Sequence, residues 1–276
     1  MTGFEYHRPE SLAEASRLLG SYKAVALAGG TDLMVGIRHR KVEPEVVVDL
    51  KSVAEIGDEI GVVDGAIRIG GRVVMRRLIE DARVRESFPA LVESASVVGS
   101  VQIRNRATVA GNLCNASPAA DTAPALIAHS ATVRIAGPGG ERNVAVEELF
   151  TGPGSTVLER GEVVTAIDVP VPRSPMGSAF ARVTRRRGVD LASVSLACVI
   201  DGAGAVRFGF GAVGPKPLLG VADVADLSAG GGWEQLFAVT SPITDVRAGA
   251  DYRRAMLRVH GRRALHEAMR RLERAP

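Results

Sequence analysis

A change of pattern beyond the middle of the chain constrains the fold more than any other sequence feature. Before it, segments with strand-like and helix-like spacing alternate along the 276-residue sequence. The change comes at a cluster of chain-breaking residues, Pro170, Pro172, Pro175 and Gly177. After it, strand-like runs follow one another at residues 179–185, 191–200 and 206–213. Alternating elements are typical of α/β domains, and successive strands are typical of antiparallel sheets.

This pattern predicts an α+β protein of two domains. Residues 1–175 are expected to form an α/β domain, and residues 176–276 a smaller α+β domain with a three-stranded antiparallel sheet and helices. A capping box at Ser11 and Glu14 predicts an opening helix. Apolar spacing over residues 251–272 predicts an amphipathic helix at the C-terminal end.

Composition excludes several classes of protein. The chain is 46% hydrophobic and 24% charged, which is an ordinary globular balance. No stretch reaches the roughly 18 apolar residues that a membrane span requires, and the first residues lack signal-peptide order, so we expect a cytoplasmic protein. Cys114 and Cys198 form no CxxC pair, and the five histidines lack ligand spacing. We therefore expect no metal site here and place any iron–sulfur cluster on a partner.

Positive charge is concentrated near the C-terminus. Residues 247–276 hold nine arginines against Asp251, Glu267 and Glu273, whereas the whole chain carries a formal net charge of +3. These arginines have no interleaved aromatic residues, which favours a solvated helix face over nucleic-acid binding. A docking surface for another protein is the remaining alternative.

Two glycine-containing segments are candidates for anion binding. Gly29 and Gly30 lie between a predicted strand and a predicted helix, where backbone N–H groups can converge on a phosphate. The second segment, residues 104–121, is rich in short polar side chains that suit phosphate oxygens and polyol hydroxyls, namely Thr108, Asn112, Asn115, Ser117 and Asp121. Structural glycines and a loop held by Asx and Ser turns would produce the same sequences.

A literal GxGxxG at Gly209, Gly211 and Gly214 suggests a dinucleotide site, but its context argues against one. In a Rossmann fold these glycines lead into a helix whose N-terminus faces the pyrophosphate. Pro215 and Pro217 follow at once and are incompatible with that helix start. We therefore predict that no helix begins at this motif.

The chain resembles the FAD-binding subunits of the molybdenum hydroxylases, which include xanthine dehydrogenases, aldehyde oxidoreductases and aerobic carbon monoxide dehydrogenases. The resemblance spans nearly the whole chain and consists of separate matches in the family's order. They are YHRP at 6–9, LAGGTDL at 27–33, QIRN at 102–105, TVAGNL at 108–113, ASPAAD at 116–121, VGPKP at 213–217, Asp245, YRR at 252–254 and RRAL at 262–265. The family implies an FAD-binding domain of the p-cresol methylhydroxylase type, followed by a C-terminal flavoprotein domain.

The resemblance implies FAD as cofactor and assigns residues to it. Both glycine segments would clamp the pyrophosphate, which assigns this role to the segment from Ala28 through Gly29, Gly30, Thr31 and Asp32 to Leu33, and to the segment from Thr108 through Gly111 to Asn112. Leu27, just before the first segment, is assigned to the cofactor as well. Asn115 and Asp121 fall where the family binds the ribityl and phosphate portion, and Ser117 belongs to the same polar run. Val98 and Val164 align with apolar positions beside the flavin.

Two residues depart from the family pattern. Arg182 stands where the family has a lysine near the flavin N1 and O2 edge; a cation there would stabilise the reduced anion, but arginine is bulkier and retains its proton. Ala110 replaces a glycine that precedes the position of Gly111. Its methyl group would crowd the pyrophosphate unless the backbone keeps a negative φ.

The implied activity is electron relay. A large molybdenum–pterin subunit would oxidise the substrate, and 2Fe-2S clusters of a small subunit would pass electrons to FAD and then to NAD or another acceptor, in a dimer of heterotrimers. No residue of this chain is expected to act as a catalytic acid or base. The rival is a self-contained flavin-dependent oxidase, which would need a histidine or tyrosine cluster that the sequence does not show.

Overall fold

Parallel strand pairing builds a small sheet at the start of the chain. The computed structural model describes residues 3–274. Its first elements are β1 (Glu5–His7), α1 (Leu12–Leu19), β2 (Ala24–Leu27), α2 (Leu33–Arg38) and β3 (Val46–Asp49). Strands β1 and β2 both pair in parallel with β3. The capping box is confirmed in part, because the Ser11 hydroxyl accepts the Glu14 N–H and so starts α1.

A five-stranded antiparallel sheet and helices follow. In chain order the elements are β4 (Ile60–Val63), β5 (Ala66–Gly70), α3 (Met75–Glu80), α4 (Ala82–Ser87), α5 (Pro89–Ser96), α6 (Val101–Arg104), α7 (Val109–Cys114), α8 (Thr122–Ala128), β6 (Thr132–Gly137), β7 (Gly140–Ala145), α9 (Val146–Leu149), β8 (Phe150–Gly152), β9 (Ser155–Thr156) and β10 (Val163–Pro170). The sheet order is β4-β5-β10-β6-β7, and β8 pairs with β9. The main hydrophobic core combines this sheet with the helices, through residues such as Ile69, Phe88, Leu113 and Leu126.

The last part of the chain is an antiparallel sheet covered by helices. Its elements are β11 (Met176–Val183), β12 (Val194–Asp201), β13 (Ala205–Gly211), β14 (Leu218–Asp223), α10 (Val224–Ser228), α11 (Trp233–Phe237) and α12 (Ala250–Leu272). The predicted amphipathic helix is confirmed as α12, which buries Leu257, Gly261, Ala264, Leu265 and Ala268. The α+β fold class is confirmed.

The predicted three-stranded sheet is wrong by one strand, because the sheet has the order β11-β12-β13-β14. β14 pairs antiparallel with β13 from Leu218 to Asp223. β14 reads LLGVAD, in which apolar residues follow one another without alternation and Gly220 interrupts them, so no period-2 pattern marks this edge strand. Pro215 and Pro217, just before β14, predict a turn, so the sequence gives no sign that a strand begins directly after them.

The two halves of the chain share packed surfaces. Ala197 and Val199 of β12 belong to the main core together with residues of the first half. A Cβ atom at Gly209 would lie 1.9 Å from the Pro124 carbonyl oxygen, so β13 contacts the backbone of α8 directly. Residues 171–175 join β10 to β11 in different sheets. A division into domains at residue 175 remains a prediction.

The GxGxxG segment lies in this packed region. Gly209 and Gly211 are in β13, and strand β14 rather than a helix follows Gly214. The prediction that no helix begins there is confirmed. Across residues 3–274, no helix has both the length and the apolar composition needed to cross a membrane.

Gly209→Ala is expected to lower the free energy of unfolding by roughly 2–3 kcal/mol, because the added methyl group must push β13 away from the α8 backbone. Urea denaturation followed by circular dichroism measures the change. Gly61→Ala in β4 is the matched control, since no atom lies within 4 Å of its added Cβ. Equal denaturation midpoints for the two variants would contradict the close β13–α8 contact.

Candidate functional site

The two glycine segments identified in the sequence meet in the structure. A Cβ atom added at Gly29 would lie 2.2 Å from the Arg106 carbonyl oxygen and 3.0 Å from the Ala107 Cα. Such distances are well below van der Waals contact, so the two backbones touch only because residue 29 has no side chain. The turn after β2 is thereby fixed against the chain just before α7.

The turn at Gly29 leaves a row of backbone donors without partners. Gly30 takes a φ of +76°, which reverses the chain before α2. Within residues 3–274, the N–H groups of residues 29–33 donate to no protein acceptor. Successive unpaired N–H groups at a glycine turn and a helix start are suited to an anion such as a phosphate.

The second segment is held in place by α3. The Met75 N–H donates to the Ala107 carbonyl at 2.9 Å, and the Val109 N–H donates to the Val73 carbonyl at 3.0 Å. Thr108 forms an isolated antiparallel bridge with Val74 between these two bonds. The start of α7 therefore has a fixed position relative to the Gly29 turn.

Thr108 caps α7 with its side chain. Its hydroxyl accepts the Gly111 N–H at 3.0 Å. A Cβ atom at Gly111 would lie 2.7 Å from that hydroxyl oxygen, which explains the glycine. Ala110 lies inside α7 with a negative φ and is 5% exposed in the main core. Its methyl group is therefore buried among core residues, and alanine fits this position without backbone strain.

The polar run after α7 is ordered by its own side chains. The Asn112 carbonyl oxygen Oδ1 accepts the Thr122 hydroxyl at 2.6 Å, and the Ser117 hydroxyl accepts the Ala119 N–H at 3.3 Å. Asn115 caps the end of α7 and is exposed. The bond to Thr122 leaves the Asn112 amide nitrogen free for another acceptor.

Asp121 and Arg182 form an ion pair that joins the two halves of the chain. The Arg182 Nη1 atom lies 2.9 Å from Asp121 Oδ2 and also donates to the Val97 carbonyl oxygen at 3.1 Å. Asp121 Oδ1 is buried and has no hydrogen-bond partner in the protein. Burial raises the pKa of the Asp121 carboxyl to about 6, and Arg182 opposes that effect only in part.

The turn at residues 97–99 is fixed from both sides. Arg104 donates to the carbonyl oxygens of Val98 and Gly99 at 3.1 and 3.2 Å, while Arg182 holds Val97. Val98 therefore lies beside the Asp121–Arg182 pair and is 9% exposed. Val164 is on β10 and is 4% exposed within the main core, so the structure shows it packed against protein.

Comparison with known proteins identifies the family. The family described as "FAD binding domain in molybdopterin dehydrogenase" matches residues 2–172. The chain belongs to this molybdopterin dehydrogenase FAD-binding family. It is 35% identical over 219 residues to the xanthine dehydrogenase FAD-binding subunit of Escherichia coli O157:H7, covering 77% of this chain and 75% of that subunit.

Several matches extend over almost the full length of this family member. The carbon monoxide dehydrogenase medium chain of Afipia carboxidovorans is 32% identical over 282 residues, with 96% of each chain covered. The reconstituted CO dehydrogenase structure from Oligotropha carboxidovorans aligns with a TM-score of 0.91 at 31% identity, covering 98% of each chain. The predicted family and the FAD cofactor are confirmed.

The residues of the site fit the FAD of this family. The unpaired N–H groups of residues 29–33 match the donor requirement of a pyrophosphate, and the partnerless Asp121 Oδ1 can accept a hydroxyl. Sequence reasoning missed the contribution of Arg106, because it is a backbone contact. It also missed Thr122, although that residue directly follows the polar run and its hydroxyl was a visible signal.

Gly29→Ala is expected to weaken FAD binding at least tenfold, because its Cβ must displace the Arg106 backbone and separate the two segments. Titration of FAD-free protein with FAD, followed by flavin fluorescence, measures the affinity. Gly139→Ala serves as the control, since its added Cβ meets no atom within 4 Å. Wild-type affinity in Gly29→Ala would show that the contact does not shape the FAD site.

Asp121 should make stability depend on pH between about 4 and 6. Its pKa near 6 in the folded protein exceeds the ordinary value of 3.8, so the folded state binds the proton more tightly. The contribution is fully present below pH 4 and is lost as pH rises through 6, a change of about 3 kcal/mol. Urea denaturation of FAD-free protein over this range should show the stability of wild type falling relative to that of Asp121→Asn as pH rises, since other titrating groups such as His129 contribute equally to both proteins. Parallel profiles would refute the raised pKa.

Proposed function

We propose that this chain is the FAD-binding electron-transfer subunit of a molybdopterin-dependent hydroxylase or dehydrogenase. The chain takes electrons from 2Fe-2S clusters of a small partner subunit and passes them to NAD or another acceptor. A large molybdopterin-binding subunit carries out the substrate oxidation. The observation that carries the proposal is the contact of the Gly29 turn with Arg106, which places the donor row of residues 29–33 beside the start of α7.

Each part of the site has a proposed share in holding FAD. The segment formed by Leu27, Ala28, Gly29, Gly30, Thr31, Asp32 and Leu33 binds the pyrophosphate together with Thr108, Gly111 and Asn112. Asn115, Ser117 and Asp121 bind the ribityl and phosphate portion through amide, hydroxyl and carboxylate groups. Val98 and Val164 supply apolar surface, and Arg182 supplies positive charge. Bound FAD supplies the exchange between one-electron and two-electron transfer.

Two buried titratable groups, His129 and Cys114, are unsuited to acid–base catalysis near neutral pH. Burial and the nearby Arg207 lower the pKa of His129 to about 3, so this imidazole stays neutral. Its ring packs edge-on against Phe88 inside the core, with 4.9 Å between the two ring centroids. Burial also raises the pKa of the Cys114 thiol to about 12, which keeps it protonated and unreactive near neutral pH.

The relatives support the assembly. Their names describe an FAD-binding subunit and medium chains, which are components of larger enzymes. We propose that this chain joins a large molybdopterin subunit and a small 2Fe-2S subunit in a dimer of heterotrimers in the cytoplasm. The substrate is then a property of the large subunit, because this chain needs only to bind FAD and meet its partners.

Affinity purification of the chain from its native cells is expected to recover two further subunits, one with 2Fe-2S clusters and one with molybdopterin. Native mass spectrometry should give the mass of two heterotrimers. FAD-loaded chain alone should reduce no acceptor with an organic substrate, whereas the complex should do so. A lone monomer that oxidises an organic substrate would refute the proposal and favour a self-contained flavin oxidase.

A further inference from the structure

Arg253 is a charged side chain buried in the C-terminal half, where it donates to two backbone carbonyls and one carboxylate. It lies in the first turn of α12, is 2% exposed and has its Nη2 atom 2.6 Å from Asp245 Oδ1. Its Nη1 atom donates to the carbonyl oxygens of Ser193 at 2.6 Å and Ala212 at 2.8 Å. Burying a guanidinium is costly, so a position filled this way calls for a specific role.

Ala212 connects this guanidinium to the polar loop of the FAD site. Its own N–H donates to the Pro118 carbonyl oxygen at 2.7 Å, within the loop that leads to Asp121. Ala212 has a φ of +62°, a left-handed conformation that is strained for a residue with a side chain. The bond from Arg253 to the Ala212 carbonyl therefore holds a strained residue in the orientation that reaches Pro118.

Ser193 connects the same guanidinium to the strand that carries Arg182. Ser193 directly precedes β12, and its N–H donates to the Val183 carbonyl at 2.7 Å. Val183 is the last residue of β11 and follows Arg182, which pairs with Ser195 in the sheet register. One side chain thus bonds to Ala212, which contacts Pro118, and to Ser193, which is hydrogen-bonded to the residue that follows Arg182.

We propose that Arg253 is a positioning residue for the FAD site. It fixes the backbone of Ala212, which binds the Pro118 carbonyl. It also fixes the backbone of Ser193 and thereby positions Arg182, the ion-pair partner of Asp121. The inference rests on the proposed placement of FAD at residues 117–121. Arg253 itself makes no hydrogen bond to that loop within residues 3–274, so it acts through the two backbone segments.

The chemistry of the contacts explains why arginine is used. A single planar guanidinium donates in fixed directions to two carbonyl oxygens and a carboxylate, which a lysine ammonium cannot reproduce with the same geometry. Asp245 also accepts the N–H groups of Arg247 and Ala248 at 2.8 and 3.2 Å, so the counter-ion is itself held by backbone. The result is a rigid connection from the start of α12 to the loop of the FAD site.

Arg253→Met is expected to raise the FAD dissociation constant at least tenfold and to change the visible circular dichroism of bound flavin. Arg253→Lys should fall between this variant and wild type. Arg254→Met is the matched control, because Arg254 is the next residue of α12, is exposed and pairs with Asp251. It should leave both measurements unchanged. Unfolding of the FAD-free variants is followed in parallel to confirm that all are folded at the titration temperature.

A double-variant cycle separates positioning from general destabilisation. If Arg253 acts through the loop that carries Asp121, Arg253→Met should add little to the loss of FAD affinity already caused by Asp121→Ala. Additive losses, or wild-type FAD affinity in Arg253→Met, would overturn the proposal. If Arg253→Met does not fold, Arg253→Lys and Asp245→Asn replace it under the same criteria. Wild-type protein that binds no FAD would instead overturn the proposed function.

Discussion

The contact between Gly29 and the Arg106 carbonyl is the constraint on which the site depends. It brings together two backbone segments that lie far apart in sequence, with no side chain between them. Neither segment needs the other for its local structure, since Gly30 turns the first and Thr108 caps the second. What the contact adds is their relative position. A single anion can then meet the donors of residues 29–33 and the start of α7 together.

The C-terminal half completes this site rather than merely adjoining it. The Arg182 side chain donates to Asp121 and to the Val97 carbonyl. The Ala212 N–H donates to the Pro118 carbonyl. Lys216 donates to the Phe150 carbonyl at 3.0 Å. The glycines of β13 allow this close approach, because the strand lies against the α8 backbone at Gly209. The GxGxxG sequence therefore has a packing explanation, and the polar loop of residues 116–121 is enclosed by both halves of the chain.

Features that depend on a few neighbouring residues could be predicted from the sequence. Contacts between backbone segments that are distant in sequence could not. The Ser11 cap, the glycine turn after β2 and the spacing of α12 are patterns over a few residues, so they could be recognised directly. The polar run indicated Asp121, but its ion pair with Arg182 joins residues far apart in sequence, so no local pattern marks it. The Arg106 contact involves a carbonyl that every residue carries, so no residue type marks it. The sequence likewise does not distinguish Arg253 from the exposed arginines around it, because its burial depends on the folded structure.

The Asp121–Arg182 pair also determines the charge beside the site. Arg182 donates to both Asp121 and the Val97 carbonyl, and within this pair the pKa of about 6 belongs to the Asp121 carboxyl. Above a pH of about 6, the ionised carboxylate and the guanidinium cancel each other. Below it, protonated Asp121 leaves Arg182 as an uncompensated positive charge in a low-dielectric region, where charge acts over longer distances than in water. Protonation of Asp121 is therefore the event by which pH changes the charge of this pair beside the site.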